Sequence, residues 1–360
     1  MIGQRGHLMS AQLDSRTNNF DFIRLFLAVL VIFSHSFPLT GEPANELFLR
    51  ATRGQLTGGQ IAVDAFFIIS GYLITASFEH SRSLWIYLKK RIFRIFPAFI
   101  VLTLFDLAVV LPMSAGHLAG TSPVRNCLMV LGKTLSLDGF ATIGAFRFNP
   151  YPEAINGSLW TIRVEFMCYI GLALIGVCGF LRNRHWTLCL LGVWLALTTI
   201  IAHSGLSPYR ADFPYPAHSG LWGFLLRLVP CYLAGVVVYL YRKSIGLNLL
   251  SVAVAGAVLV GACFVPLGLL TAIPLAGSYL LVTAAYSPVI RLHHFARFGD
   301  FSYGTYLYAF PVQQMLVRYG RASMSPMLLF LMATPITAVL AAASWHLIEK
   351  RFLSRSRVLH

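Results

Sequence analysis

Residues Phe20–Phe37 read FDFIRLFLAVLVIFSHSF, long and apolar enough to cross a bilayer, yet the run carries Arg24 and His35. The surrounding composition is of the same kind: 57% of the 360 residues are hydrophobic and only 11% are charged, outside the proportions of soluble domains. Apolar stretches of roughly the 17–25 residues that span a bilayer recur at 20–37, 60–78, 95–112, 159–180, 186–203, 221–241, 247–265, 267–285, 301–317 and 326–347. This pattern predicts an all-α polytopic integral membrane protein, a bundle of about ten transmembrane helices. The charge-free stretch from Ile245 to Ile290 is too long for one span and is interrupted at VPLG (Val265–Gly268), so it is read as two helices and a tight turn. The expected organisation is a cytoplasmic segment at 1–19, a membrane domain at 20–347 and a cytoplasmic tail at 348–360.

A net charge of +15 raises the question of nucleic acid. With the N-terminus inside, however, Lys and Arg concentrate in the cytoplasmic segments, in SRSLWIYLKKRIFR, RNRH, YRK and EKRFLSRSR. That is the positive-inside rule; membrane orientation accounts for the charge and no nucleic-acid partner is expected. A polar head precedes the first span and no A-x-A site follows it, so it reads as an anchor and not a removable signal. Six cysteines, Cys127, Cys168, Cys178, Cys189, Cys231 and Cys263, show no C-x-x-C spacing, so neither a disulfide framework nor a metal site is expected. The long region Met113–Ser158 is expected outside and either functional or locally folded. Its piece CLMVLGKTLSL (Cys127–Leu137) is too short to span and reads as an interfacial or re-entrant helix.

Arg24 and His35 are eleven positions apart, about three turns plus 20°, so both project from one helix face roughly 16 Å apart along the axis. An arginine in the bilayer costs at least roughly 2.5 kcal/mol on insertion scales, and such residues usually face an aqueous cavity. Snorkelling of Arg24 and a packed, satisfied His35 are the structural alternatives. In GGQIAVDAFFIISGYLIT and NGSLWTIRVEFMCY, Asp64 and Glu165 fall near the depth of His35. A carboxylate that accepts from one ring nitrogen leaves the other free to take a proton from a hydroxyl. Otherwise Asp64 caps its helix and Glu165 pairs with Arg163 or Arg24. On the opposite side, KKRIFRIFP places Arg91 and Arg94 three apart just before the third span, with Pro97 near the helix start. They are fork-shaped donors suited to phosphate, or else a positive-inside cluster at lipid headgroups. Trp160, Trp222, Tyr209, Tyr215 and Tyr303 could stack on sugars, although interfacial belts recruit the same residues.

Together these motifs, Arg24 with His35, VDAFFIISGYL (Val63–Leu73), RIFRIFP with Arg91 and Arg94, SLWTIRVEF (Ser158–Phe166) and FSYGTYLYAFP (Phe301–Pro311), resemble acyltransferase family 3, from Asn19 to Glu349. These are integral-membrane O-acyltransferases of bacterial surface carbohydrates. The resemblance implies transfer of an acyl group, most often acetyl, from cytoplasmic acyl-coenzyme A to a sugar hydroxyl. It implies an inner-membrane location with both termini cytoplasmic, acyl-coenzyme A as co-substrate and no resident cofactor. The family's essential Arg–His pair maps onto Arg24 and His35, and its donor-binding arginine loop onto Arg91 and Arg94. Two departures stand out: Ala309 replaces a histidine found in many members, and the extracytoplasmic hydrolase-like domain many members carry is absent from a chain ending at His360. On this reading His35 is general base, or else acyl-accepting nucleophile, with Asp64 or Glu165 orienting it. The competing reading is a transporter or flippase of lipid-linked sugars, since intramembrane charges also build proton relays. Against it, the sequence contains no inverted repeat.

Overall fold

The structure, a computed structural model, describes residues 18–204, 220–246, 248–287, 292, 297, 299–320 and 324–357. Residues 1–17 of the expected N-terminal segment, together with Tyr209 and Tyr215, lie outside the described residues. Every one of the ten apolar stretches is helical: α1 (Phe20–Leu39), α2 (Gly58–Glu79), α3 (Leu84–Phe105), α4 (Trp160–Val177), α5 (Arg184–His203), α6 (Gly220–Leu240), α7 (Leu249–Ala262), α8 (Gly268–Ala272, continued to Ala285), α9 (Ser302–Tyr319) and α10 (Pro326–Ser344). Eight helices among the described residues are long and apolar enough to cross a membrane, which makes the chain a polytopic all-α membrane protein.

Two of the ten helices miss this standard of length and apolarity, for different reasons. Helix α7 has 14 residues, about 21 Å of rise against a hydrocarbon layer of about 30 Å. Helix α9 has 18 residues but is rich in tyrosine and glutamine, and every residue from Ser302 to Gln314 is buried. A helix enclosed by protein needs hydrogen-bond partners more than apolarity. The predicted turn between α7 and α8 is present. Leu267 takes a left-handed conformation (φ 59°), and the Gln55 side chain donates to the carbonyls of Ala262 and Cys263 while accepting from the Leu269 amide.

Helix α3 begins earlier than expected, at Leu84, and continues through a π-helical turn (Asp106–Val110) to Met113. The basic run between Leu84 and Arg94 has no glycine or proline to stop a helix, so Arg91 and Arg94 sit on adjacent turns within α3 itself. Pro97, expected near the helix start, is likewise interior. At the other end of the chain, α10 runs on through a second π turn (Trp345–Glu349) to Arg357. The region between Met113 and Ser158 is folded, with a helix at Pro123–Leu135 and a two-residue antiparallel pairing of His117–Leu118 with Thr142–Ile143.

The chain packs as two compact units that interleave along the sequence. One is drawn from Met1–Leu27, Phe48–Leu84 and Met167–Gly299, the other from Ala28–Leu47, Trp85–Phe166 and Asp300–His360. The first is organised on α2 and α6. A Cβ added at Gly71 would lie 2.0 Å from the Tyr232 carbonyl oxygen, and one at Gly235 would lie 2.0 Å from that of Ile68. Only glycine permits such an approach. The contacts Asp64 with Arg227, Gly71 with Tyr232 and Tyr239 with Glu79 advance together along both helices, so α2 and α6 run parallel. The second unit is built round α9. Gln313 donates to the Ile32 carbonyl and the Ser36 hydroxyl, Asn156 donates to the Leu307 carbonyl, and Gln314 donates to the carbonyls of Tyr151 and Ala154.

Candidate active site

In the second unit, His35 is 4% exposed near the end of α1, an uninterrupted helix that also carries Arg24. Its ring meets Phe310 edge-on, with centroids 5.5 Å apart, and Phe310 also packs on Tyr151 at 5.9 Å. A Cβ at Gly157 would come within 2.8 Å of the Phe310 ring, so the glycine of the NGSLW stretch makes room for the ring that holds the imidazole. The next residue, Ser36, donates to the Ile32 carbonyl and accepts from Gln313. Desolvation raises the phenol pKa of Tyr151, which lies in the loop region outside the spans; it therefore stays protonated.

Glu165, on α4, is half-buried. The alternative of pairing with Arg163 loses its basis, because Arg163 reaches Asp138 at 3.6 Å and Asp138 also holds Lys133 at 2.7 Å. One turn before Glu165, the Thr161 and Tyr306 hydroxyls are 2.6 Å apart, and Tyr306 donates to the Ser158 carbonyl.

The two arginines of α3 part company. Arg94 is ion-paired with Asp300 at 2.5 Å and with Glu349 at 3.4 Å, its side chain 15% exposed. It also lies over the Tyr303 ring, whose hydroxyl donates to the Ile95 carbonyl. Tyr303 is therefore part of the arginine's support and not a sugar platform. Arg91 stacks over Tyr87 at 5.9 Å. Two carboxylates thus offset the charge of Arg94.

In the first unit, Arg24 is partly buried. Asp64 does not cap its helix: Thr57 does, in a reciprocal capping box with Gln60. The Asp64 carboxylate is instead 2.9 Å from the Arg227 guanidinium, which also donates to the Gln60 carbonyl.

A family model described as "Acyltransferase domain" matches residues 17–346. The chain belongs to acyltransferase family 3. It is 30% identical over 359 residues to an O-acetyl transferase of Shigella phage Sf6, covering 95% of this chain and 97% of the relative. It is also 28% identical over 354 residues to Nodulation protein 10 of Rhizobium leguminosarum bv. viciae, covering 92% of each. No solved structure matches. The chain is thus an O-acyltransferase embedded in a membrane.

For a family 3 enzyme, the residues that sequence reasoning passed over are mostly the partners of the arginines. Arg227 is a charge inside the apolar run of α6, but periodicity gives no hint that it faces Asp64. Asp300 and Glu349 flank apolar helices, where an acidic residue is a signal, yet their convergence on Arg94 is purely tertiary. Asp106, a carboxylate within the third span and 1% exposed, was readable as an intramembrane charge by the same rule that picked out Arg24.

Proposed function

We propose that this O-acyltransferase takes an acetyl group from cytoplasmic acyl-coenzyme A and transfers it to a hydroxyl of a cell-surface carbohydrate or its precursor. The proposed setting is the bacterial inner membrane, with both termini cytoplasmic. The observation that carries the reading is the buried imidazole of His35, held by Phe310 on a membrane helix that also bears Arg24. An apolar helix accommodates a buried imidazole and a guanidinium at appreciable cost, and acyl transfer gives both groups work.

His35 takes the proton of the acceptor hydroxyl as its oxygen attacks the thioester carbonyl. The carbon–sulfur bond breaks as the tetrahedral intermediate collapses, coenzyme A leaves as thiolate, and the proton held by His35 returns to the sulfur. Glu165 is the carboxylate proposed to support the imidazolium, because Asp64 is engaged by Arg227. Arg24 guides the donor arm toward the thioester site. Arg91 contacts the donor phosphates, and Arg94, braced by Asp300 and Glu349, positions that turn of α3. Support for acetyl as the transferred group comes from the phage relative described as an O-acetyl transferase.

The test uses purified protein and acetyl-labelled acetyl-coenzyme A, with release or transfer of label as the readout. His35→Ala should lower turnover at least 100-fold while expression and thermal unfolding stay as in wild type, since an apolar substitution in an apolar helix is no burden on insertion. Retention of more than a tenth of the activity in a folded variant removes His35 from the chemistry. Failure of the wild-type protein to consume acetyl-coenzyme A removes the donor.

A further inference from the structure

Beside the His35 wall, the second unit contains a cavity of about 250 Å³ lined by Asp106, Phe140, Asn156, Gly157 and Trp160, with Asp138 and Glu153 also on its lining. At about 30 Å³ for each water in the liquid, that is space for on the order of eight waters, or one hexose ring. Its location is informative. Gly157 forms part of the lining and packs against Phe310, and Phe310 touches His35.

Most of the polar groups there are already committed. Asn156 donates to the Leu307 carbonyl and accepts from the Ser158 amide. Asp138 is held by Lys133, Arg163 and the Gly139 amide. Glu153 is exposed and accepts from the Gly144 amide. Asp106 differs. Its Oδ1 is fully buried with no hydrogen-bond partner among the described residues, although a buried carboxylate oxygen left unpaired is expensive. It also begins the π-helical turn Asp106–Val110, a distortion frequent at functional sites.

The chemistry of the lining selects its ligand. Three carboxylates disfavour an anion. Among the described residues no group of three or more His, Cys, Asp or Glu side chains could hold a metal ion. What remains is a hydroxyl donor for Asp106 and an apolar ring face for Trp160 and Phe140. A sugar ring supplies both, through its hydroxyl edge and its C–H face.

We propose that this cavity is the acceptor subsite of the transferase, in which Asp106 accepts a hydrogen bond from a hydroxyl of a neutral sugar whose ring lies against Trp160. This rests on the reading above that the acceptor is a carbohydrate. Binding here would bring the sugar to the wall that holds His35, so a neighbouring hydroxyl of the same ring is the one acylated.

The experiment is saturation-transfer difference NMR on the full chain in lipid nanodiscs, free of sugar-headed detergent. The probes are methyl glycosides of glucose, galactose, rhamnose and N-acetylglucosamine, without donor. At least one glycoside should show saturation of its ring protons. Asp106→Leu should reduce that signal at least five-fold, because it removes the acceptor while keeping the branched shape of the side chain, and burying an apolar group there should not harm folding. Trp160→Leu should reduce it similarly and carries the test should Asp106→Leu not fold. Thr337→Val removes another buried hydroxyl that has no partner among the described residues but does not line the cavity; it should leave the signal intact. The proposal is overturned if no glycoside gives a signal, if the folded Asp106→Leu variant binds as wild type, or if tetramethylammonium chloride displaces the sugar, which would mark a cation site. Because no donor is present, the outcome is separate from that of the acetyl-coenzyme A assay. Transfer to a glycoside with unchanged KM in Asp106→Leu sinks the subsite and leaves the transferase reading standing, whereas Asp106-dependent binding without acetyl-coenzyme A turnover does the reverse.

Discussion

Asp64 and Asp106 are both carboxylates buried inside membrane helices, 3% and 1% exposed, and their surroundings are opposite. Asp64 lies on the α2–α6 pair of the first unit and is neutralised by Arg227 at 2.9 Å. The Oδ1 of each lacks a hydrogen bond among the described residues, but Asp106, against a cavity in the second unit, has no ion pair there either. Burial alone therefore does not identify a working residue. A charge that a neighbouring helix satisfies is part of the scaffold, and one left unsatisfied just beneath the wall of a cavity is a candidate for a ligand.

The strongest way to break that contrast is to remove the partner of the satisfied carboxylate. Arg227→Met should lower stability by roughly 3–5 kcal/mol, because it leaves Asp64 charged and uncompensated in a nonaqueous setting. The double variant Asp64→Asn with Arg227→Met should recover most of the loss. Thermal unfolding in detergent, followed by fluorescence-detected size exclusion, reads both. A single variant as stable as wild type, or a double variant no better than the single, would show that the pair is not structural. Asp106→Leu, by contrast, should unfold within about 1 kcal/mol of wild type.

A smaller effect tests the arginines of α3. Arg94→Ala strands Asp300 and Glu349, of which Glu349 is 2% exposed, and should cost roughly 2–3 kcal/mol of stability together with activity. Arg91→Ala should instead raise the donor KM about ten-fold and cost less stability than Arg94→Ala, with a smaller loss for donors lacking the 3′-phosphate if that phosphate is the contact. Arg94→Lys should recover stability in part, since a point charge cannot bridge two carboxylates as a fork does. Equal donor KM effects from the two alanine variants, without any stability difference, would restore the view of them as one clamp.

How far the sequence could be read follows from the same physics. All ten helical segments were legible because hydrophobic runs report helices directly. The status of α9 was not, since SYGTYLYAFPVQQ owes its polarity to partners on other elements, Thr161 and Ser36 among them, that no local pattern encodes. The start of α3 was misplaced because hydropathy marks where a helix enters the membrane, while the backbone stays helical through Lys89, Lys90 and Arg91. His35, Arg24 and Asp64 were legible as buried charges. Which of them pairs with what was not, because i,i+4 and i,i+11 relations describe one helix, and the contact between Asp64 and Arg227 joins residues far apart in the chain.

The smallest effect sharpens the comparison on the same two helices. At the other end of the α2–α6 pair, Arg242 reaches Glu79 at 3.7 Å, with Glu79 38% exposed. The Glu79 carboxylate already accepts from the Tyr239 hydroxyl at 2.8 Å, and Arg242 lies over the Tyr239 ring with 3.9 Å to its centroid. Removing the guanidinium therefore leaves Glu79 both hydrogen-bonded and open to solvent, so no charge is stranded. Partly exposed pairs are worth about 1 kcal/mol or less, and the lost ring contact adds about 0.5–1 kcal/mol at such a site. Arg242→Met should cost roughly 1 kcal/mol, a shift that shrinks further as salt is raised. If it destabilised as much as Arg227→Met, depth along the helix pair would not govern the value of its ion pairs. The distinction between Asp64 and Asp106 would then have to rest on the cavity alone.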